Sequence, residues 1–274
     1  MSSVIKVIKE QVNQFYLVRR LSWYELRSAN KNNYLGMAWE VLNPLILISI
    51  YWFVFGYGIR ERAEVQIASD LKVPFLYWLI SGIILWFFFY NSTIKGSKSI
   101  YTRLKMLSKM NFPMSIIPHY IVFSQFYIHL AMLIIATLIL VFSGYGLSIY
   151  YLQFLYFIFA SFVFTFSLAL LMSTLSTIIR DIQMFLQATL RMVLYLSPIL
   201  WEVTSIENET ISMLMKLNPL YYLIEGYRAG FFGTEWYLIV NWEWTLYFWV
   251  VTIVLFILGS TLHVKFRRHF IDFL

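Results

Sequence analysis

The sequence of 274 residues contains no cysteine, so it can form neither a disulfide nor a thiolate metal site. Charged residues are also scarce, at 13% of the chain, whereas hydrophobic residues make up 60%. The mean hydropathy of +0.69 is higher than that of ordinary soluble domains. This composition excludes an ordinary soluble protein and predicts a chain that crosses a membrane several times.

Motifs of common enzymes are also missing. The sequence has no GxxxxGK[ST] phosphate-binding loop, no H-E-x-x-H zinc motif and no cluster of carboxylates suited to Mg²⁺. Ser197-Pro198 is interpreted as a proline kink and not as a nucleophile with a base. The histidines, which have no metal-ligand spacing, are His119, His129, His263 and His269. We therefore expect no catalytic residue, no metal site and no cofactor in this chain.

Six apolar stretches predict membrane-spanning helices, because each is close to the roughly 20 residues that cross a bilayer core. They lie at residues 42–57, 73–90, 116–142, 150–179, 184–201 and 244–265. No linker, repeat or low-complexity tract divides the chain. The predicted fold class is an all-α integral membrane protein with six transmembrane helices, in one membrane domain over residues 1–274.

Lysine and arginine are distributed unevenly in this topology. The side that holds both termini carries 15 of them and the opposite side 5, while Arg191 remains within the fifth span. Cytoplasmic loops of membrane proteins carry the excess of positive charge. We expect a multi-pass protein of the cytoplasmic membrane with both termini in the cytoplasm. The net charge of +7 thus indicates orientation and not binding to nucleic acid.

Residues 1–33 are predicted to form a cytoplasmic helix region that lies along the membrane surface. Val4, Ile8, Val12 and Phe15 recur at helical spacing, and the opposite face is polar. The alternative is a solvated helix packed on a soluble domain, which is weaker because no soluble domain follows.

A basic segment at residues 91–115 joins the second and third predicted spans. It contains five Lys/Arg and no acidic residue. Ile100, Leu104, Leu107 and Asn111 recur at i, i+4, i+7 and i+11, which predicts a short amphipathic helix. Such a helix can lie on the membrane or bind a soluble partner. The alternative is a loop whose charge only fixes orientation.

Residues 202–243 fall on the external side, yet they contain two apolar stretches that are too short to cross a bilayer. These stretches, at 211–217 and 219–232, flank the break at Asn218-Pro219. The pattern predicts either re-entrant half-helices or a compact external cap of two small helices.

Charged residues at the edge of the membrane or within it are candidates for function, because burying a charge without a partner costs several kcal/mol. Glu225 and Arg228, at i and i+3, can pair with each other, whereas the adjacent Arg180 and Asp181 are expected to pair with other elements. Arg191 has no local partner. It either reaches an interface, binds backbone carbonyls or meets an anionic substrate.

Five motifs occur in order along the chain. They are YLGMAWEVLNP at 34–44, KMNFP at 109–113, RDI at 180–182, SPI at 197–199 and NPLYYLIEGYR at 218–228. With six spans between them, they resemble the permease subunit of ABC-2 type polysaccharide exporters over nearly the whole chain. Three shorter stretches resemble the wall teichoic acid permeases of Gram-positive bacteria more than O-antigen or capsule permeases: KEQVNQF at 9–15, NNYLGMAW at 32–39 and FVFGYGIR at 53–60.

This resemblance implies a homodimer bound to two copies of a separate ABC-type ATPase, which would bind ATP and Mg²⁺. The cargo would be an anionic glycopolymer linked to undecaprenyl diphosphate, with wall teichoic acid as the leading candidate. A coupling helix that docks on the ATPase would lie at about 101–109, with Leu104 and Leu107 as apolar plugs. The residues assigned to coupling are Tyr101, Arg103, Leu104, Lys105, Leu107 and Lys109.

Aromatic residues are abundant, with 25 Phe, 20 Tyr and 10 Trp. Their flat apolar faces and polar tips can let a polymer slide without deep binding sites. The candidate substrate path includes Tyr34, Trp39 and Arg191. Three other functions stay open: an O-antigen or capsular polysaccharide permease, a membrane-embedded transferase that needs no ATP, and a passive channel.

Overall fold

The computed structural model describes residues 2–58, 64–68, 71–104, 112–201 and 208–270. Five helical segments in these ranges are long and apolar enough to cross a membrane: Gly36–Gly58, Phe75–Ser97, Ile116–Phe142, Ile149–Ile178 and Trp242–Phe266. They correspond to five of the six predicted spans. The prediction of a mostly helical, multi-pass membrane protein is therefore confirmed.

The helices are named in chain order. They are α1 (Ser3–Asn13), α2 (Phe15–Ala29), α3 (Trp39–Tyr51), α4 (Phe75–Ser97), α5 (Ile116–Phe142), α6 (Gln153–Ile178), α7 (Asp181–Leu196), α8 (Glu209–Lys216), α9 (Pro219–Phe232), α10 (Tyr237–Val240) and α11 (Trp242–Phe266). Short 3₁₀ turns precede α3 and α6, and a π-helical stretch, Trp52–Gly58, continues α3.

A β-hairpin corrects the all-α prediction. Strands β1 (Glu64–Ala68) and β2 (Leu71–Pro74) pair antiparallel, with Val65 opposite Val73. Both valines are buried, because residues directly opposite each other in an antiparallel pair point to the same face of the hairpin. The two strands are too short for their alternation to stand out between long apolar runs.

Helices α4 and α6 form the centre of the bundle, and α4 packs against α5, α6 and α9. Small residues permit the close approach of these helices. A Cβ added at Gly96 of α4 would lie 2.8 Å from the Cβ of Ala169 on α6. The outer helices α3, α5 and α11 bury a smaller part of their surface, as expected for helices that face lipid.

The fifth predicted span differs from the structure at both ends. Helix α7 covers Asp181–Leu196, and the chain at Ser197 is extended, with φ −92° and ψ 152°. The following residue, Pro198, disfavours a helical conformation at Ser197, so the proline ends the helix where a kink was predicted. The 16 residues of α7 rise about 24 Å, less than the roughly 30 Å of a hydrocarbon core. A sixth complete span thus stays a prediction.

The second predicted span is longer than expected. Helix α4 continues to Ser97, so the first seven residues of the predicted 91–115 loop belong to this helix. Residues 98–103 form turns, and residues 105–111, where most of the predicted amphipathic helix falls, lie outside the described part of the chain.

Helix α9 lies inside the bundle, against α4 and α6. Its start is set by Asn218, whose side chain accepts a hydrogen bond from Leu220 N, and by Pro219 in the first turn. It ends at Gly233, which has a left-handed φ of 65°. Leu217 O accepts from Tyr247 Oη, and Gly233 lies beside Ser148. Both ends of α9 therefore lie close to the starts of α6 and α11, and the choice between re-entrant half-helices and an external cap stays a prediction.

The N-terminal helices present an apolar face to the outside of the molecule. Ile8, Val12 and Phe15 are exposed, whereas Val7 and Gln11 contact the rest of the protein. An exposed apolar stripe of this kind suits a helix that lies in the membrane interface, as the sequence pattern predicted.

Replacing Gly226 of α9 tests this packing. A Cβ at Gly226 would lie 2.2 Å from two ring carbons of Phe157. We expect Gly226→Ala to destabilise the protein by about 1–3 kcal/mol, because the ring must shift. The measurement is the apparent Tm in detergent. Gly146→Ala is the control, since nothing lies within 4 Å of its added Cβ. Equal Tm values for the two variants would contradict the described position of α9.

Candidate functional site

A cavity with a volume of about 790 Å³ lies between α3, α4, α5 and α7. On α4 its lining runs from Ile84 to Lys95. The eleven residue steps between these two positions correspond to a rise of about 16 Å. The cavity therefore extends from the end of α4 that carries Lys95 to about the middle of that helix.

Two kinds of side chain predominate in the cavity wall. The amides are Asn30, Asn33, Asn43, Asn91 and Gln125, and the aromatic residues include Trp39, Tyr51, Phe88 and Tyr90. Amides both donate and accept hydrogen bonds, and aromatic rings offer flat apolar faces. Such a wall can contact a polyhydroxylated ligand through both its polar groups and its apolar faces.

Three charged residues line the cavity: Glu40, Lys95 and Arg191. The Glu40 carboxylate accepts a hydrogen bond from Asn30 Nδ2 at 2.8 Å. Lys95 Nζ donates to Gln125 Oε1 at 3.1 Å, and Arg191 Nε donates to the Gln187 carbonyl at 3.4 Å. Within the described ranges, no carboxylate forms an ion pair with either cation. The cavity thus has a net charge of +1.

The inner wall of the cavity is supported by α9. His129 lines the cavity, its Nε2 lies 2.8 Å from Tyr227 Oη of α9, and its ring stacks on Phe88 with centroids 4.8 Å apart. A displacement of α9 would therefore disturb the end of the cavity directly.

Arg228 fixes α9 to α4. It is 2% exposed, its Nη1 donates to Glu225 Oε1 at 2.6 Å, and its guanidinium carbon lies 3.7 Å from the ring centroid of Trp78. Gly82 of α4 leaves room for this side chain, because an added Cβ would lie 2.9 Å from Arg228 Nη2. Ion pairing and a cation–π contact together compensate the buried charge.

A smaller pocket of about 480 Å³ lies beside the cavity, and Lys95 lines both. Its other charged residues are Glu25, Lys98 and Arg103. Arg103 Nη2 donates to Glu25 Oε1 at 2.5 Å, and its guanidinium lies over the ring of Tyr120. Arg103 therefore ties the turns after α4 to both α2 and α5.

A hydrogen-bond network joins α1 to the segment before α5. Gln11 Nε2 donates to Ser115 O and Oγ, and Gln11 Oε1 lies 2.6 Å from His119 Nδ1. Glu10 accepts from Ser115 Oγ and from Arg267 Nη1. The N-terminal helix, the end of the basic segment and the end of α11 are thus held together.

Tyrosines near α9 are held in the neutral form. Burial raises the pKa of Tyr237, and the Glu225 carboxylate raises it further. Burial also raises the pKa of Tyr222, whose Oη bonds to Thr245 Oγ1 at 2.8 Å. Both phenols therefore serve as neutral hydrogen-bonding groups at physiological pH.

Comparison with known proteins identifies the family. The model of the ABC-2 type transporter family matches residues 16–232, which include every helix that lines the cavity. This chain belongs to the ABC-2 type transporter family.

Curated relatives match nearly the full length of the chain. Two O-antigen export system permease proteins RfbA of Klebsiella pneumoniae are 27% and 26% identical to it, each over 91% of this chain and 92% of the relative. The RfbA protein of Myxococcus xanthus is 23% identical over 84% of this chain and 85% of the relative.

The structure places two of the three candidate path residues of this ABC-2 chain in one cavity. Trp39 and Arg191 both line it, on α3 and α7. Tyr34 is fully exposed before α3 and does not contribute to the cavity wall.

One of the two predicted charged pairs is formed in the structure, and the other is not formed among the described residues. Glu225 and Arg228 form an ion pair within α9. Arg180 and Asp181, at the start of α7, are both exposed and have no ion-pair partner among the described residues. The expected pairing of these two residues with other elements is therefore absent from that part of the chain.

The coupling residues of the prediction are only partly described. Leu104 is 1% exposed and packs with Ile100 and Val18 in the protein's own core, so its side chain is turned away from any docking surface in this conformation. Tyr101 and Arg103 are half-buried at the turns after α4. The others, Lys105, Leu107 and Lys109, lie outside the described residues.

Sequence reasoning missed Lys95, Gln125 and His129 as cavity residues. Lys95 was counted with a loop, although no proline interrupts the chain between Tyr90 and Ser97 and α4 could continue. Extending the helical pattern by about one and a half turns would have placed Lys95 on it. The described residues contain no group of three His, Asp or Glu side chains that could hold a metal ion.

Glu225→Gln tests the anchoring role of Arg228. The change removes a charge partner from a buried guanidinium, and we expect a loss of about 2 kcal/mol in stability because Glu225 itself is partly exposed. The measurement is the apparent Tm in detergent. Glu243→Gln, at an exposed position of α11, is the control and should leave the Tm unchanged. An unchanged Tm for Glu225→Gln would rule out this anchor.

Proposed function

We propose that this chain is the permease subunit of an ATP-driven exporter of a lipid-linked glycopolymer. One observation carries the proposal: the family match at 16–232 covers all the cavity-lining helices, and relatives aligned over 91% of the chain are O-antigen export permeases. Since the cavity belongs to the part shared with these exporters, it is the natural site for the cargo.

The chemistry of the cavity suits such a cargo. Sugar rings have hydroxyl groups at their edges and apolar C–H faces, which match amides and aromatic rings respectively. Asn43 and Asn91 supply amides, and Trp39 and Tyr90 supply ring faces on the same cavity. The cations Lys95 and Arg191 suit an anionic glycopolymer or an anionic lipid head.

The energy source would be a separate ABC-type ATPase, present in two copies, which binds ATP and Mg²⁺. The basic segment that follows α4 would contact it on the cytoplasmic side. The anchoring of Arg103 to Glu25 and Tyr120 supports this role, because a force on the segment would pass to α2 and α5. Leu104 would hold the segment against the protein's own core, and Leu107 would contact the ATPase.

A second copy of the chain would complete the permease. Arg191 is exposed on α7, where its neighbours Phe185, Met192 and Tyr195 are exposed as well. An arginine among apolar residues is costly in contact with lipid. A homodimer that covers α3 and α7 would enclose Arg191 and join two cavities into one path.

Two polymers are candidates for the cargo. The three short stretches at 9–15, 32–39 and 53–60 support wall teichoic acid, and the names of the relatives support an O-antigen or a similar polysaccharide. Both would be linked to undecaprenyl diphosphate. Complementation of a teichoic acid export defect, compared with complementation of an O-antigen export defect, separates the two.

Leu107→Asp in the full transporter tests the coupling between the chain and its ATPase. A carboxylate in an apolar contact should cost about 2–4 kcal/mol of docking energy. We expect the transporter-dependent ATPase rate and polymer export to fall together, by about tenfold or more. The control is Leu107→Met, which keeps the apolar contact and should retain both activities.

Transport or product formation by the purified chain without the ATPase would overturn the proposal. Export without ATP would indicate a channel, and a modified lipid product would indicate a transferase. If Leu107→Asp couples normally, the proposed contact between Leu107 and the ATPase is wrong. The complementation experiment then decides the permease role.

A further inference from the structure

The two cations that line the cavity, the half-buried Lys95 and the exposed Arg191, differ from the buried Arg228 and the half-buried Arg267. Arg228 and Arg267 each form an ion pair with a carboxylate, to Glu225 and Glu10 respectively. Among the described residues, Lys95 donates to the neutral Gln125 amide and Arg191 to the neutral Gln187 carbonyl, and neither forms an ion pair. A cation without a counter-charge at the wall of a membrane cavity is costly and is typical of a ligand site.

Helix geometry explains only part of this arrangement. Lys95 lies in the last turn of α4, where the helix dipole favours a positive charge. A lysine placed there only for the dipole would extend into water, as the exposed Lys265 does in the last turn of α11. Lys95 is instead half-buried and directed to Gln125 across the wall of the cavity.

The surroundings of the two cations indicate the class of anion. Amides of Asn43, Asn91 and Gln125 line the same cavity and can donate hydrogen bonds without adding negative charge. Phosphate groups offer several acceptor oxygens and more than one negative charge, so they use a lysine, an arginine and neutral donors together. Glu40, the one carboxylate among the described residues that line the cavity, accepts a hydrogen bond from Asn30.

We infer that this cavity binds the phosphate-bearing head of an isoprenoid lipid, with Lys95 and Arg191 as the charged ligands and the neighbouring amides as additional donors. This inference rests on the proposed function and adds to it the residues that hold the carrier. Lys95 lines both the cavity and the basic pocket beside it, so it would be the first of the two to contact the head group.

Binding of farnesyl diphosphate to the full chain in phosphatidylcholine nanodiscs tests the inference. We expect saturable binding, weakened by about tenfold or more in Lys95→Gln and in Arg191→Gln, because each loses a charge-assisted contact. Lys95→Arg should retain most of the affinity. The matched controls are Lys265→Gln, a last-turn lysine outside the cavity, and Arg180→Gln, an exposed arginine next to α7. Both should bind within twofold of the unmodified chain.

Competition experiments identify the source of the phosphate. Displacement by inorganic diphosphate would show that the phosphates alone are recognised, and displacement only by farnesyl diphosphate would show that the lipid chain contributes; both support the site. Equal binding of farnesol, equal displacement by phosphatidylglycerol, or unchanged binding in Lys95→Gln and Arg191→Gln would overturn it. If the binding experiment fails while polymer export is intact, the proposed lipid-head site is wrong and the permease role stands.

Discussion

A polar side chain inside an apolar helical bundle must find a partner or face water, because the hydrocarbon around it offers neither. This constraint separates the polar residues of the chain into two groups. Arg228 and Tyr227 are satisfied by Glu225, Trp78 and His129, and they hold α9 inside the bundle. Lys95 and Arg191 have no counter-charge among the described residues and line a cavity. The buried pairs thus build the scaffold, and the unpaired cations mark the space that it encloses.

The same contacts connect the cavity to distant parts of the molecule. His129 belongs both to the cavity wall and, through Tyr227, to the contact with α9. At the other end of the bundle, Lys95 lines the same smaller pocket as Arg103, which binds Glu25 of α2 and lies over Tyr120 of α5. A shift of the basic segment can therefore reach the cavity through α4, and a shift of α9 can reach it through α5.

Long apolar runs made five spans of this ABC-2 chain predictable from sequence, because length and hydropathy alone define them. Short sequence features that are compatible with more than one local structure were harder to interpret. Pro198 ends α7 where a kink was expected, and the short β-hairpin has too few alternating residues to be recognised. In the site, Arg191 was identified because an arginine in a span is conspicuous. Lys95 was not identified, since its position on a helix or in a loop depends on where α4 ends. The burial of Leu104 could not be predicted either, because it depends on packing between α2 and α5.

The absence of native cysteine allows the central claim, a hydrated cavity open at the Lys95 end, to be measured by single-cysteine labelling. Asn43→Cys and Asn91→Cys lie in the cavity wall, and Leu155→Cys lies on the exposed apolar face of α6. The account predicts that a membrane-impermeant maleimide labels the two cavity positions in inside-out vesicles but not in intact cells, and does not label Leu155→Cys in either. Labelling of the cavity positions from outside intact cells, or no labelling beyond that of Leu155→Cys, would contradict it.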